Sequence, residues 1–491
     1  MKRVSPGPLP LISLDRRSRT PLYRQVYRGF RDAILERRLR AGQRIPSTRS
    51  LAVALRISRF PILDAYEQLL AEGYFESRVG SGTFVASLPS GARPPVADRP
   101  LAPPSRFRRA ARDTDFLVRR ASPPWLGGWG AFRVSEPAVD RFPHRIWSRL
   151  VGRHGRAARE DPLAMKYGDP MGHRPLREAV AEHLRTARGA RCEADHVMIV
   201  SGSQQALTLT ARVLVPPGAR VWVEDPGYGG ARDVLRLRGA RLVPVPVDED
   251  GLDVAAGVRR APRAAAAYVT PSHQYPLGMV MSVARRLLLL EWARRNGSWI
   301  IEDDYDSDYR YESLPIASLQ GLDRDARVLY VGTFSKVLFP ALRVGYLVVP
   351  PDLAPRFAAV RDAMDIFPST FVQEVLAEFI RGGHFARHLR RMGTLYRERR
   401  RSLVDALHAE IGDRVRIVGD EAGMHLTAAL PDAIDDGAVA GRAARRGLWV
   451  MPLSSCSLER RPPRGLVLGF GSTDASDAPA AVRRLGAVLA G

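Results

Sequence analysis

Residues 330–346 read YVGTFSKVLFPALRVGY, an apolar run that ends near a lysine, with an arginine seven residues farther on. The apolar residues predict a buried strand that ends just before Lys336. The hydroxyl groups of Thr333 and Ser335 flank the lysine, and Arg343 follows it. A lysine amine can join an aldehyde as a Schiff base, while hydroxyl groups and an arginine can hold a phosphate. The segment therefore indicates a site for a phosphorylated aldehyde.

A second apolar run, SWIIEDDYD at residues 298–306, has three consecutive acids near its end. Ligands of parallel α/β sheets lie at the carboxyl ends of strands. Pyridoxal 5′-phosphate (PLP), a phosphorylated aldehyde, needs an acid to keep its ring nitrogen protonated. Side chains alternate along a strand, so Asp303 and Tyr305 share one face and Asp304 takes the other. This favours Asp303 at the ring nitrogen and Tyr305 at the ring hydroxyl, with Asp304 as the alternative acid.

Two further segments supply groups for the same cofactor. SGSQQAL, at residues 201–207, follows the apolar run HVMIV and begins a helix. Because a helix N-terminus attracts anions, Ser203 and Gln204 are predicted to present amides to the phosphate. Tyr228, in EDPGYGG, is a candidate to stack on the cofactor ring.

From about Phe142 onward, apolar β-branched runs alternate with helical stretches. This alternation predicts an α/β domain with a mostly parallel sheet. The last hundred or so residues, from about Phe385, are predicted to form a smaller α+β unit. The strand candidates lie in HVMIV (196–200), ARVWVEDPGY (219–228), ARLVPVPV (240–247), AAAAYVTP (264–271), SWIIEDDY (298–305), RVLYVGTFSK (327–336) and VGYLVVP (344–350).

The N-terminal part, residues 18–86, has a different pattern. Helical periodicity runs from Leu22 to Leu35, a second helix begins with a cap at Ser47 or Thr48, and a third runs from near Ser58 to Gly73. YFESRVGSGTFVA then predicts two short strands around a glycine-rich turn, which completes a winged helix-turn-helix. The predicted DNA contacts are Arg59 on base edges, Arg49 on a phosphate or guanine edge, and Ser47, Ser58, Ser81, Gly82 and Thr83 around them.

Charge and composition fit this division. The net charge is +23, and residues 1–50 carry thirteen Lys or Arg against three Asp or Glu, which favours a polyanionic partner. Residues 87–140 are rich in proline and arginine and are predicted to be a linker before a third segment, residues 141–491. No apolar run is long enough to span a bilayer, and no signal peptide is visible, so a cytoplasmic location is expected. Cys192 and Cys456 form no metal or disulfide pattern.

PLYRQVYRGFRDAIL (21–35) and GQRIPSTRS through GSGTFV (42–85) resemble the GntR family of bacterial repressors. The resemblance covers the whole winged-helix region. The family usually has a Thr-Val pair where Pro61 and Ile62 stand here. Proline is acceptable in the first turn of a helix, but a hydroxyl contact to phosphate is lost.

Residues 142–491 resemble fold type I aminotransferases, and the whole chain resembles the MocR subfamily of GntR regulators. YGDPMGHRPLREAV, TPSHQYPLG and LGFGS are further matching segments. The resemblance implies a homodimer in which Tyr167 reaches the phosphate of the neighbouring subunit. It also implies that Tyr275, before Pro276, takes the place of an asparagine that supports the ring hydroxyl.

One departure bears on activity. Aminotransferases carry a C-terminal arginine that clamps the substrate α-carboxylate, and Val467 stands at that position, with Arg464 out of register. Amino-acid turnover is therefore doubtful. The resemblance implies a transcription regulator in which PLP, alone or with an amine ligand, modulates DNA binding. The missing arginine favours PLP itself as the signal, as in regulators of vitamin B6 synthesis. The alternatives are an active aminotransferase with an accessory DNA-binding domain and a DNA-binding scaffold with a relic pocket.

Overall fold

The computed structural model describes residues 12–78, 80–87, 114, 116–117, 123, 125, 127–160, 166–311 and 316–490. The chain divides into two units with a boundary between residues 109 and 110. The winged-helix and aminotransferase-like architecture predicted from the sequence is confirmed. Among the helices of these residues, none combines the length and apolar character needed to cross a membrane.

The N-terminal unit contains three helices and a hairpin. Ser47 caps the second helix by accepting a hydrogen bond from the Ser50 amide at 3.1 Å. The third helix begins two residues later than predicted, with Arg59 as its cap and Pro61 in its first turn. The elements are α1 (Leu22–Leu35), α2 (Thr48–Leu55), α3 (Phe60–Ala71), β1 (Phe75–Arg78) and the antiparallel β2 (Gly82–Val85).

Three aromatic rings form the centre of this unit. Phe30, Tyr66 and Phe75 come from α1, α3 and β1, and all are at most 4% exposed. Each pair meets edge to face, with centroids 5.2–5.5 Å apart. Such pairs stabilise a protein by about 0.5–1.5 kcal/mol each, in addition to the contribution from burying their surface area. The cluster therefore fixes the hairpin against the helices.

The C-terminal unit is built on an eight-stranded sheet. All seven predicted runs are strands, and an additional two-residue strand extends the edge. The predicted mostly parallel sheet is confirmed, with β10 antiparallel to both of its neighbours and β6 antiparallel to β5. In the order β3-β10-β9-β8-β7-β4-β5-β6, the strands are β3 (Val197–Val200), β4 (Arg220–Asp225), β5 (Arg241–Asp248), β6 (Gly251–Leu252), β7 (Ala266–Val269), β8 (Trp299–Asp304), β9 (Val328–Thr333) and β10 (Gly345–Val348).

Helices cover both faces of the sheet. Val221 and Val223 of β4 enter one hydrophobic cluster, and Trp222 between them enters another on the opposite face. Burial on both faces explains why these strands are continuous apolar runs. The helices of this part are α4 (His144–Glu160), α5 (Arg174–Arg188), α6 (Ser203–Leu214), α7 (Gly229–Leu237), α8 (Val254–Arg260), α9 (Val283–Asn296), α10 (Leu319–Leu322), α11 (Ala354–Asp365) and α12 (Thr370–Arg381).

The smaller C-terminal subdomain begins close to the predicted Phe385. Its four strands pair antiparallel in the order β11-β12-β14-β13. The elements are α13 (His384–Glu410), β11 (Arg416–Val418), β12 (His425–Ala429), α14 (Asp436–Arg445), β13 (Met451–Pro452), β14 (Gly465–Gly469) and α15 (Ala478–Ala490).

The C-terminal unit begins earlier in the chain than the predicted boundary at residue 141. Phe132 is fully buried in the main hydrophobic core. Its backbone pairs with Gly469, and that of Ala131 with Leu448. The predicted linker therefore ends before residue 131, because Ala131 and Phe132 already pair with the C-terminal subdomain. Most of its earlier part lies outside the described residues.

Candidate cofactor site and DNA-binding surface

A cavity of about 160 Å³ lies where β8 and β9 end. Ten of the eleven residues predicted to bind the cofactor line it, namely Ser203, Gln204, Tyr228, Tyr275, Asp303, Tyr305, Thr333, Ser335, Lys336 and Arg343. Three further residues were missed, namely Ser135, Tyr268 and Thr270. Tyr268 and Thr270 alternate along the run AAAAYVTP, so strand periodicity could have found them. Ser135 lies in the predicted linker and had no such signal.

Lys336 lies at the cavity wall, and its Nζ donates a hydrogen bond to the main-chain oxygen of Ser135 at 3.0 Å. Burial lowers the pKa of this lysine below its ordinary value, and the carboxylate of Glu136 opposes the shift. A lowered pKa increases the neutral fraction, which is the nucleophilic form. The chain has only three lysines, Lys2, Lys166 and Lys336, so a covalent label can be located simply.

The two adjacent aspartates of β8 face opposite sides of the sheet. Asp303 lines the cavity and accepts a hydrogen bond from the Tyr268 hydroxyl at 2.8 Å. Burial raises the pKa of Asp303 to about 7. Asp304 instead forms a buried ion pair with Arg188 at 2.6 Å and accepts from the Tyr330 hydroxyl at 2.5 Å. Only Asp303 is placed to meet a ligand in the cavity.

One end of the cavity is suited to an anion. Helix α6 begins there at Ser203, directly after Gly202. The Arg343 guanidinium donates to the Ser201 carbonyl at 2.6 Å, and a Cβ on Gly202 would lie 3.3 Å from it. Thr333 Oγ1 accepts the Ser335 amide at 3.1 Å. A helix N-terminus, a guanidinium and hydroxyl groups together can hold a phosphate.

Four tyrosines line the cavity, and three of them pack edge to face in a row. The Tyr228 hydroxyl accepts a hydrogen bond from Gln204 Nε2 at 2.9 Å. Tyr228 and Tyr275 meet edge to face at 5.7 Å, as do Tyr275 and Tyr305 at 5.9 Å. The Tyr305 hydroxyl lies 3.1 Å from His273 Nδ1. Flat aromatic walls of this kind accommodate a planar ring.

The cavity fits PLP by a test independent of any resemblance. Asp303 Oδ1 and Ser335 Oγ are both buried, and neither has a hydrogen-bond partner among the residues that the structure describes. Buried polar atoms without partners are rare in proteins and point to a group that completes them. A protonated ring nitrogen would complete Asp303, and a phosphate oxygen would complete Ser335. The buried amine of Lys336 stands in the same cavity.

Two other predicted positions lie away from the cavity wall. Tyr167 is 81% exposed, and its ring meets Phe367 at 5.8 Å. Val467 is fully buried in β14. Arg464 pairs with Asp436 at 3.0 Å. Among the described residues that line the cavity, Arg343 is the one arginine.

The predicted DNA contacts lie on the N-terminal unit. Arg49, Ser58 and Arg59 are exposed near the starts of α2 and α3. Arg59 Nε donates to Thr48 Oγ1 at 3.0 Å, which joins the two helix starts. The other predicted contacts are exposed or half-buried, with Ser47 at the cap of α2 and Ser81, Gly82 and Thr83 at the hairpin.

The comparisons with known proteins agree with this division. Residues 144–478 match the family "Aminotransferase class I and II", and residues 22–85 match "Bacterial regulatory proteins, gntR family". The chain is 41% identical to "Probable rhizopine catabolism regulatory protein MocR" of Rhizobium meliloti, over 94% of this chain and 93% of that protein. It is 32% identical to "HTH-type pyridoxine biosynthesis transcriptional regulator PdxR" of Corynebacterium glutamicum, over 94% and 95%.

Solved structures of aminotransferases are similar to the C-terminal unit. Pyrococcus horikoshii kynurenine aminotransferase has a TM-score of 0.70 at 26% identity, covering 78% of this chain and 96% of that one. LysN, an α-aminoadipate aminotransferase of Thermus thermophilus, has a TM-score of 0.69 at 29% identity, covering 77% and 96%. The latter was solved with a phosphopyridoxyl-leucine adduct.

Proposed function

This chain belongs to the MocR subfamily of gntR-type transcription regulators, and we propose that occupancy of the Lys336 site by PLP controls how its N-terminal domain binds operator DNA. It is a PLP-binding and DNA-binding protein. The observation that carries the proposal is the buried Lys336 in a cavity whose unpartnered acceptors match PLP, on one chain with a basic winged helix. The two sites are coupled because PLP binds one of two conformational states of the protein more tightly than the other.

Ten of the residues that line the cavity have a proposed role. Lys336 bonds the cofactor, Asp303 holds a proton at the ring nitrogen, and Tyr305 and Tyr275 support the ring oxygen. Tyr228 packs on the ring. When bound, PLP supplies an aldehyde carbon and an electron-withdrawing ring. The phosphate is held by Ser203, Gln204, Thr333, Ser335 and Arg343, together with Tyr167 from a second subunit of a homodimer.

On the DNA side, Arg59 reads base edges in the major groove and Arg49 contacts the backbone or a guanine edge. The hairpin turn approaches the minor groove, where Gly82 leaves room for the backbone. Ser47, Ser58, Ser81 and Thr83 surround these contacts. A homodimer presents two such domains to paired half-sites.

We propose PLP itself as the signal and genes of vitamin B6 metabolism as targets. Two observations support this choice. The chain is similar to PdxR, and the apolar Val467 stands where an aminotransferase needs an arginine to clamp the substrate carboxylate. An active aminotransferase with an accessory DNA-binding domain is the second candidate. The likeness to aminotransferase structures and the intact lysine favour it. Rapid conversion of the bound cofactor to pyridoxamine phosphate by common amino acids would support this second function.

The proposal is tested by DNA binding to the region upstream of the chain's own gene, with and without PLP. We expect PLP to change the affinity of the wild type, and to leave Lys336→Ala unchanged and without visible absorption. Lys166→Ala is the matched control, because Lys166 is an exposed lysine away from the cavity wall. A wild type that gains no visible band with PLP, or that binds DNA equally in both conditions, contradicts the proposal.

A further inference from the structure

Behind Tyr305 lies a buried pair of polar side chains that no role above uses. His273 Nδ1 is 2.9 Å from Asp306 Oδ1 and 3.1 Å from the Tyr305 hydroxyl. The side chains of His273 and Asp306 are 1% and 2% exposed. Tyr305 itself lines the cavity beside Lys336. The three residues therefore form a chain of contacts from the interior to the cofactor cavity.

The surroundings decide which imidazole nitrogen carries the proton. His273 Nε2 is buried and has no hydrogen-bond partner in the described part of the chain. A buried N–H without an acceptor is among the rarest groups in proteins, and a bare nitrogen is the less costly state. The proton of a neutral His273 therefore lies on Nδ1. From there it is shared between Asp306 Oδ1 and the Tyr305 oxygen.

This assignment fixes the direction of the tyrosine hydrogen bond. Because the Tyr305 oxygen accepts from His273, its own O–H is free to donate elsewhere. Tyr305 faces the cavity, so the donor points to where the cofactor ring oxygen would lie. We propose that His273 and Asp306 are positioning residues that hold the Tyr305 hydroxyl as a hydrogen-bond donor to the ring oxygen of bound PLP. The proposal rests on the function proposed above and adds the group that controls the ring oxygen.

The pair is held in place from the C-terminal subdomain. The Met424 amide donates to Asp306 Oδ2 at 3.3 Å. A Cβ on Gly423 would lie 2.3 Å from His273 Cε1 and 2.4 Å from Asp306 Oδ2, so the close approach requires glycine. The His425 ring lies 4.9 Å from that of His273 and is kept neutral, because burial lowers its pKa to about 3. The orientation of Tyr305 therefore depends on contacts from β12 and the turn before it.

A bound cation is the competing explanation, because His273, Asp306 and His425 are grouped closely enough to offer three ligand atoms. The contacts favour hydrogen bonds instead. The separation of 2.9 Å between His273 Nδ1 and Asp306 Oδ1 is an ordinary N–H···O distance. The His425 Nε2 lies 3.2 Å from the Pro276 carbonyl, so that nitrogen is already a donor.

The test is a pH titration of the visible absorption of the PLP-loaded, full-length protein. Besides His273 and His425, the titratable groups around Tyr305 are Asp306, Tyr275, Asp303 and Glu224. These four groups remain in every variant except Asp306→Asn. Loss of the donor leaves more negative charge on the ring oxygen, so the nitrogen of Lys336 keeps its proton to higher pH. For His273→Phe we expect the midpoint to rise by about one pH unit, the size of one hydrogen bond to a charged group.

Four further variants separate positioning from simple disruption. His273→Asn retains an N–H at the place of Nδ1, so it is expected to restore most of the wild-type midpoint. Tyr305→Phe should shift the midpoint in the same direction as His273→Phe, and the double variant should shift no further, because both remove the same hydrogen bond. Asp306→Asn provides a second measurement if His273→Phe does not fold.

The failure of this proposal is distinguishable from that of the proposed function. A wild type without a visible PLP band contradicts the proposed function. A wild type with a titrating band, together with an unshifted midpoint in folded His273→Phe and Asp306→Asn, overturns the positioning role. One equivalent of zinc in the purified protein would also overturn it, in favour of a cation held by the same side chains.

Discussion

The amine nitrogen of Lys336 lies 3.0 Å from the main-chain oxygen of Ser135, a residue 201 positions earlier in the chain. Ser135 lies within the segment predicted to be a linker and is held in a left-handed backbone conformation with φ of 64°. A lysine nitrogen that bonds the cofactor has fewer protons to donate. Capture of PLP therefore competes with the contact between Lys336 and the start of the C-terminal unit.

The first prediction concerns the pH dependence of PLP capture. Burial lowers the pKa of Lys336. Capture requires the neutral amine, so its rate rises with pH through the folded pKa, and we expect the midpoint below the ordinary lysine value of about 10.4. Stopped-flow measurement of the visible band at a series of pH values checks this, with Nα-acetyl-lysine as the reference. A midpoint equal to that of the free amine contradicts a buried lysine.

Replacement of the two adjacent aspartates should have different effects. Asp303→Asn removes a charged partner of the ring nitrogen, and we expect PLP affinity to fall about 10- to 100-fold. Asp304→Asn is the matched control, because Asp304 pairs with Arg188 on the other face. Loss of that buried pair should lower stability by about 3–5 kcal/mol with little change in PLP affinity of the folded protein. Fluorescence titration and thermal unfolding measure the two effects, and the reverse pattern would exchange the roles of the aspartates.

The raised pKa of Asp303 also predicts that the stability of the PLP-free protein depends on pH. Burial raises its pKa from 3.8 to about 7 in the folded state. Between these values the folded protein keeps a proton that the unfolded chain releases, so rising pH favours unfolding. The contribution is favourable below pH 4 and is lost as pH rises to about 7. Urea unfolding across this range should show a steeper loss for the wild type than for Asp303→Asn, and equal slopes would exclude Asp303 as the source.

Gly202 is predicted to be necessary for the phosphate end of the cavity. Its backbone angles, φ 99° and ψ 176°, belong to a region that essentially only glycine adopts. In Gly202→Ala the new methyl group would also stand 3.3 Å from the Arg343 guanidinium. We expect a loss of about 1–3 kcal/mol in stability and a marked loss of PLP affinity.

Gly218→Ala is the control for this variant. Gly218 also has a positive φ, of 81°, but an added Cβ would meet no atom within 4 Å. The control should lose stability and keep its PLP affinity. Equal PLP affinities for the two variants would show that the Gly202 methyl group does not disturb Arg343.

The last prediction concerns DNA recognition. Arg59 is exposed at the start of α3, where a side chain can reach base edges. Arg59→Ala should weaken operator binding by about 1–3 kcal/mol and reduce discrimination at one base position. Arg38→Ala removes a charge paired with Glu36, away from the helix starts, and is the control. Mobility-shift assays with single-base operator variants measure both, and an unchanged specificity in Arg59→Ala would place base recognition elsewhere.

Much of the site could be predicted because its groups lie in local motifs. Asp303 and Tyr305 follow from alternation along one strand, and Lys336 and Arg343 belong to one seventeen-residue segment. The N-terminal unit was equally accessible, since helical periodicity and turn glycines are local signals. The sequence alone thus determined the two domains, seven of the eight strands of the large sheet and ten of the cavity residues.

Only the tertiary structure decided which distant groups meet. The contact of Lys336 with Ser135 uses a main-chain oxygen, which every residue has, so no sequence pattern marks it. His273 and Asp306 come from different segments, and Gly423 of the distant C-terminal subdomain packs against both side chains. Periodicity reports which face of an element is buried, whereas the partner across the interface depends on how the elements pack. Contacts of this kind therefore emerge from the folded chain.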